Sequence, residues 1–177
     1  MWTVQELELW MLAKMRGPRV EAALVQLGRT TDQMKRTAEA VGVVFDKPGH
    51  AAAEYRRLLG APRETRPVST TGTFAGSFRH EYELPLWPDV VFVVNEHPTG
   101  YAWGYGFEGG PASLPAELAS IVPWRWTAER LRREATDIEV LEEWSFDLDA
   151  NLTFANGARF QARFDMGLLQ TWEPVDR

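Results

Sequence analysis

Apolar positions follow a helical period over the first third of the chain and a strand-like alternation over much of the remainder. Val4, Leu7, Met11 and Met15 mark one face of a helix from about Val4 to Arg16, opened by Thr3 and Glu6 in the spacing of a capping box. Gly17 stops that helix, and Pro18 suits the first position of the next, where its missing amide costs nothing. Val20, Leu24 and Leu27 form the buried stripe of this second helix. Gly28 supplies the turn, and Thr30 or Thr31 caps a third helix that turns Met34, Ala38 and Val41 inward and Lys35 and Arg36 outward. Gly42 stands where a left-handed C-cap would close it. His50 to Leu59 is rich in helix formers and places Tyr55, Leu58 and Leu59 on one side, which predicts a fourth helix.

Proline, glycine and hydroxyl residues then accumulate, so residues 61–72 read as a linker, with the boundary near residue 65. Beyond it, Thr73 to Leu84 reads as a strand and Val90 to Asn95 as a short buried one. His97 to Gly100 makes a turn, and Tyr101 to Phe107 returns as the partner strand of a hairpin. Ser113 to Val122 suggests a short helix. Thr127 caps another, with Leu131 inside and Arg130, Arg132 and Arg133 outside. Ile138 to Phe146 and Leu152 to Phe154 are further strands, and Asn156-Gly157 points to a type I′ hairpin into Arg159 to Phe164. The expected class is α+β: a three- to four-helix bundle over residues 1–60, then a mostly antiparallel sheet with two short helices over residues 73–177.

Composition sharpens this division. The formal net charge is −6, but residues 1–60 carry nine Lys or Arg against seven Asp or Glu, while residues 61–177 carry ten against eighteen. All three lysines, Lys14, Lys35 and Lys47, fall in the first segment. A mildly basic segment joined to an acidic one fits a nucleic-acid reader tethered to something else. Cysteine is absent, which excludes disulfides, thiolate metal sites and cysteine nucleophiles. No apolar run is long enough to span a membrane, and no basic-then-apolar leader opens the sequence, so a cytoplasmic protein is expected.

The pattern at the front resembles a known family. Trp2-Thr3 with Glu6 and Leu7, then Leu27-Gly28-Arg29-Thr30, then Met34, Lys35, Ala38, Val41 and Gly42 are similar to the Myb/SANT-like, GcrA-type branch of homeodomain-like helix-turn-helix domains. The resemblance covers residues 1–45 and implies insertion of the third helix into duplex DNA. The candidate contacts are Arg29, Thr30, Thr31, Gln33, Lys35, Arg36 and Thr37, with Asp32 and Glu39 as opposing carboxylates. Neutralising roughly three or four phosphates gives a salt slope of about −3 and micromolar binding by one copy, so a homodimer or a protein partner is expected for tight binding.

The remainder calls for no enzyme chemistry and no cofactor. In Phe78 to Glu83, a strand turns His80 away from Glu81 and Glu83, so the three do not form a metal triad without outside help. Glu142, Glu143, Asp147 and Asp149 cluster as a two-metal nuclease would need, but without a local Lys or His. Gly104, Gly106, Gly109 and Gly110 interrupt an aromatic strand rather than lead into a helix, so they make no phosphate loop. Six tryptophans fall beyond residue 73, and Trp124, Arg125 and Trp126 are candidates to line a groove for a basic or mixed-charge protein.

A DNA-binding transcriptional regulator, with a C-terminal domain for oligomerisation or partner binding, is the reading that follows. The alternative is an inhibitor or adaptor whose acidic surface mimics nucleic acid and whose helices form a dimer module. A nuclease would instead lose metal-dependent cleavage on substitution of Asp147 and Asp149.

Overall fold

The computed structural model describes residues 2–47, 50–68, 71–144 and 147–175. Their elements are α1 (Val4–Lys14), α2 (Pro18–Gln26), α3 (Thr31–Phe45), α4 (Ala52–Leu59), β1 (Glu64–Pro67), β2 (Phe78–Tyr82), β3 (Val91–Glu96), β4 (Ala102–Glu108), α5 (Ala128–Glu134), β5 (Asp137–Trp144), β6 (Asp147–Thr153), β7 (Arg159–Asp165) and β8 (Leu168–Pro174). Two antiparallel sheets of four strands, β1-β2-β3-β4 and β5-β6-β7-β8, follow the helical N-terminal region, an α+β architecture. The chain divides into two compact units, residues 1–86 with 92–105, and residues 87–91 with 106–177.

In the first unit the capping box forms as the sequence predicts: Thr3 Oγ1 accepts from the Glu6 amide at 3.3 Å and Glu6 Oε2 accepts from the Thr3 amide at 2.8 Å. α1 is buried from Leu7 through Leu12, all round rather than along one stripe. The carboxylate of Glu8 is among those residues; it accepts from the Leu86 amide at 2.9 Å, and burial pushes its pKa up despite that bond.

α3 runs past Gly42 to Phe45 and ends at Asp46 in a right-handed conformation (φ −84°), so Gly42 is not its C-cap. Gly42 lies instead within the helix, where a Cβ would meet the Asp46 carboxylate, which would have to turn aside, and lie in ordinary contact, 3.8 Å, with Trp10 Nε1. That indole belongs to an aromatic cluster of Trp10, Phe45, His50, Tyr55, Phe92 and Tyr105, whose neighbouring rings have centroids 4.8–6.4 Å apart. The cluster takes rings from α1, α3, α4, β3 and β4. Helices and first sheet therefore share one core, and the helical segment is not a domain ending at residue 60.

The segment expected as a linker over 61–72 contains β1, an edge strand paired to β2 with Thr65 opposite His80. Its Pro67 is tolerated because an edge strand leaves one row of amides unused; Ser69 and Thr70 lie outside the described residues. β2 starts at Phe78 rather than Thr73, because Gly72–Phe74 makes a 3₁₀ turn and Gly76 takes φ +76°.

The second unit is a sheet with one dry face and one wet face. Leu148, Ala150 and Leu152 of β6 and Phe160, Ala162 and Phe164 of β7 pack with Leu131 of α5 into its core. Asp149 and Asn151 alternate with these on β6, and Gln161 and Arg163 do so on β7, which is the pattern of a half-buried antiparallel sheet. The β6–β7 turn forms at Asn156-Gly157, but only Gly157 has positive φ (+78°). With Gly157 N donating to Phe154 O at 2.8 Å and Phe154 N to Ala158 O at 3.0 Å, this is a type I turn closed by a glycine bulge, not type I′.

Of the helix expected over Ser113 to Val122, only Leu118–Ser120 winds, as a 3₁₀ turn. Pro115 interrupts the segment, and Leu118 and Ile121 reach the core without regular helix. Thr127 caps α5, its Oγ1 accepting from Arg130 N at 3.4 Å. Arg130 is not on the outside: its guanidinium donates to Pro111 O at 2.9 Å and Ala112 O at 2.6 Å, and pairs with Glu134. Phe146, expected to end β5, lies outside the described residues. Among those residues no helix is long and apolar enough to cross a membrane.

Candidate nucleic-acid interface

Three consecutive backbone bonds build the turn that presents α3. Leu27 N donates to Ala23 O at 2.9 Å, Gly28 N to Val25 O at 3.1 Å, and Arg29 N to Leu24 O at 2.8 Å. The last two are the paired bonds of a Schellman motif, and Gly28 takes the left-handed conformation (φ +64°) this motif requires. Of the two threonines expected as the cap, Thr30 fills the position: its Oγ1 accepts from Gln33 N at 3.2 Å, while Gln33 Oε1 accepts from Thr30 N at 2.9 Å. Gln5 of α1 braces the corner, donating to Leu27 O at 3.3 Å and accepting from Arg29 Nη2 at 3.0 Å.

These bonds sort the seven candidate contacts. Thr30 and Gln33 are spent on the cap, Arg29 is anchored by Gln5 with further guanidinium donors left over, and Thr37 is half-buried. Thr31, Lys35 and Arg36 are exposed, and neither Lys35 nor Arg36 has an ion pair among the described residues. Met34, Val41 and Phe45 are buried on the opposite face. Asp32 and Glu39 are also exposed and lie within one turn of the two cations, so the outward face is cationic at its centre and acidic on its flanks.

No family model matches the chain, and no solved structure matches it. The assignment of this helix pair thus rests on its own geometry.

Trp124 and Trp126 are not at the surface. Both are buried; Trp124 donates from Nε1 to Gln170 Oε1 at 2.9 Å and packs on Trp87 with centroids 5.9 Å apart, while Trp126 sits in the core of the second unit. Their indoles fill volume between α5, β8 and the loop before it, where the sequence pattern suggested a groove lining. Arg125, between them, does face outward and pairs with Asp89 at 2.8 Å. Three of the four carboxylates weighed for a nuclease are committed elsewhere: Asp147 accepts from the Met166 amide at 2.7 Å, Asp149 pairs with Arg163 at 3.3 Å, and Glu143 pairs with Arg132 at 2.8 Å, while Glu142 has no ion pair among the described residues. No cluster of metal-ligating residues occurs among the described residues.

One polar constellation escapes the sequence altogether. Glu96 of β3 accepts from both Nη atoms of Arg56 (α4), Nη2 at 3.1 Å, and lies 2.6 Å from His80 Nε2 (β2), whose Nδ1 is 3.0 Å from Thr65 Oγ1 (β1). No local spacing could reveal it, because its members lie on four elements and meet only through the register that sets Phe78 opposite Glu96 and Thr65 opposite His80. Burial alone would push the Glu96 carboxyl up, but the bonds from Arg56 and His80 outweigh it and hold the pKa below the ordinary carboxylate range. Burial also pushes the neighbouring Tyr82 hydroxyl up to about 12.

A carboxyl whose folded pKa is depressed adds stability that is present above its unfolded value and is lost as pH falls through the folded one. Urea unfolding of wild type and Glu96→Gln at neutral pH and in acid checks this. The variant should be destabilised at neutral pH, and the gap should close as the medium becomes acidic. A pH-independent gap would show that Glu96 acts by packing rather than charge.

Proposed function

We propose that the chain is a DNA-binding regulator that seats α3 against duplex DNA, in keeping with its resemblance to the Myb/SANT-like domains, with the second unit serving partner contacts. The observation that carries this is the pair Lys35 and Arg36, exposed and without ion pairs among the described residues, on a helix aimed by a Schellman turn and braced by Gln5. Phosphate contact exploits free cations and a capped helix end; base reading falls to Thr31 and the exposed side chains that follow it. Asp32 and Glu39 oppose phosphate, so a single copy binds weakly and a second copy, or a DNA-bound partner, supplies the rest. The acidic-mimic alternative is less well supported, because it needs a contiguous stripe of free carboxylates, whereas Glu139, Glu143, Asp149 and Asp165 are paired with Arg159, Arg132 and Arg163.

Gel retardation of random duplex at low salt tests the proposal. Lys35→Ala with Arg36→Ala should weaken binding by about tenfold or more, whereas Asp32→Asn with Glu39→Gln should strengthen it. All four side chains are exposed, so thermal stability should stay within about 0.5 kcal/mol of wild type. Equal retardation by the wild type and the Lys35/Arg36 variant would remove α3 from the interface.

A further inference from the structure

We propose that the free edge of β5 is a docking strand for an extended, lysine- or arginine-rich segment of a partner protein. This is independent of the α3 reading and requires no DNA.

The four sheet edges are treated differently. β1 is a short edge of four residues that ends in Pro67. β4 is engaged near its end, where Phe107 N donates to Met166 O at 2.7 Å. β8 is covered at its start: Trp124 N donates to Leu169 O and Leu169 N to Trp126 O, both at 2.9 Å, and Thr127 bridges Leu168. β5, eight residues long, pairs with β6 on one side and with nothing on the other among the described residues. A strand of that length leaves a row of backbone donors and acceptors available to an added strand.

The side chains on β5 indicate which strand would fit. Val140 and Leu141 are 46% and 50% exposed, at the bulge where the register to β6 shifts. The bulge and the flanking carboxylates blunt pairing with most strands, so a strand that adds here must carry cations and cover the two apolar side chains. Around them stand Asp137, Glu139, Glu142 and Glu143. Arg159 and Arg132 satisfy Glu139 and Glu143, but Asp137 and Glu142 have no ion pair among the described residues. A second copy pairing antiparallel on this edge would set carboxylate against carboxylate, which opposes self-association. An extended segment alternating cations with β-branched residues would meet the free carboxylates and cover Val140 and Leu141.

The test adds a peptide of about nine residues, alternating Lys with Val or Thr, to the full chain and follows amide hydrogen exchange. The expected result is slowed exchange confined to residues 137–144. Asp137→Lys with Glu142→Lys should weaken the peptide's affinity by about tenfold or more, and a matched peptide with Glu for Lys should not bind. Both substituted positions are exposed, so an unchanged melting temperature would show that the variant is folded. The proposal is overturned if millimolar peptide protects nothing in 137–144, or if the charge-reversed variant binds the lysine peptide as well as wild type does. It is also overturned if the strand becomes protected without peptide as protein concentration rises, because the occupant would then be a second copy.

Discussion

Gly167→Ala is expected to destabilise the second unit by about 3 kcal/mol, a large effect for the addition of one methyl group. Gly167 has φ +79°, and a Cβ built on it would lie 2.7 Å from Phe107 O. The opposing atom is a backbone carbonyl, so no side-chain rotation can relieve the overlap. The surroundings are equally fixed: Met166 is itself at positive φ (+54°), its carbonyl accepts from Phe107 N at 2.7 Å, and Gly167 O accepts from Ala128 N at 2.9 Å at the start of α5. Relief would have to displace β4, α5 or the turn into β8. Calorimetry should show a melting transition lowered by at least about 10 °C, with urea m-values unchanged. A shift of only a degree or two would mean that the turn yields freely and that the close approach to Phe107 is not a constraint.

Trp10→Ala should cost about 3–5 kcal/mol, the range for removing a large aromatic from a core. Trp10 is 1% exposed, with its ring 5.7 Å from Phe45 and 5.6 Å from Tyr105 by centroid. Because this cluster contains residues of three helices and the first sheet, the loss should appear in helical and sheet signals together. Far-ultraviolet dichroism, which reports the helices, and hydrogen exchange at β2 and β3 should give coincident transitions. Loss of helix with β2 and β3 still protected would instead mean that the helical segment folds by itself. The same packing predicts that a fragment ending at residue 60 would leave the Tyr55 ring without Phe92 and Tyr105, and the Trp10 ring without Tyr105.

Local signals in the sequence carried much of this fold. Capping residues, Gly28 and Pro18 located α1, α2 and α3 because each acts on a few neighbouring amides, and such effects are visible in a short window. A short apolar run located β3, alternating aromatics located β4 and the Asn156-Gly157 turn located β7, for the same reason. Among the features that were not legible, three show how distant packing decides. Gly42 looks like a cap by its spacing, yet α3 continues past it to Phe45, whose ring packs on Trp10 and Tyr55. Glu64–Pro67 looks like a linker because an edge strand tolerates turn-forming residues, and only β2 makes it a strand. Trp124 and Trp126 look like a binding pair by composition, but burial against Trp87, Gln170 and the β6–β7 core decides their role. The candidate interface was more legible than the core around it, since exposure of Lys35 and Arg36 follows from helical period alone. The spending of Thr30 and Gln33 on the cap, and of Arg29 on Gln5, required the folded turn.

The salt dependence of duplex binding by the full chain bears most directly on α3 as the DNA-contacting element. With Arg29, Lys35 and Arg36 neutralising phosphates, the logarithm of affinity should fall with the logarithm of salt with a slope of about −3, and the Lys35→Ala, Arg36→Ala variant should lose about 2 of that slope. Absence of binding at low salt, or an identical slope in both proteins, would contradict it.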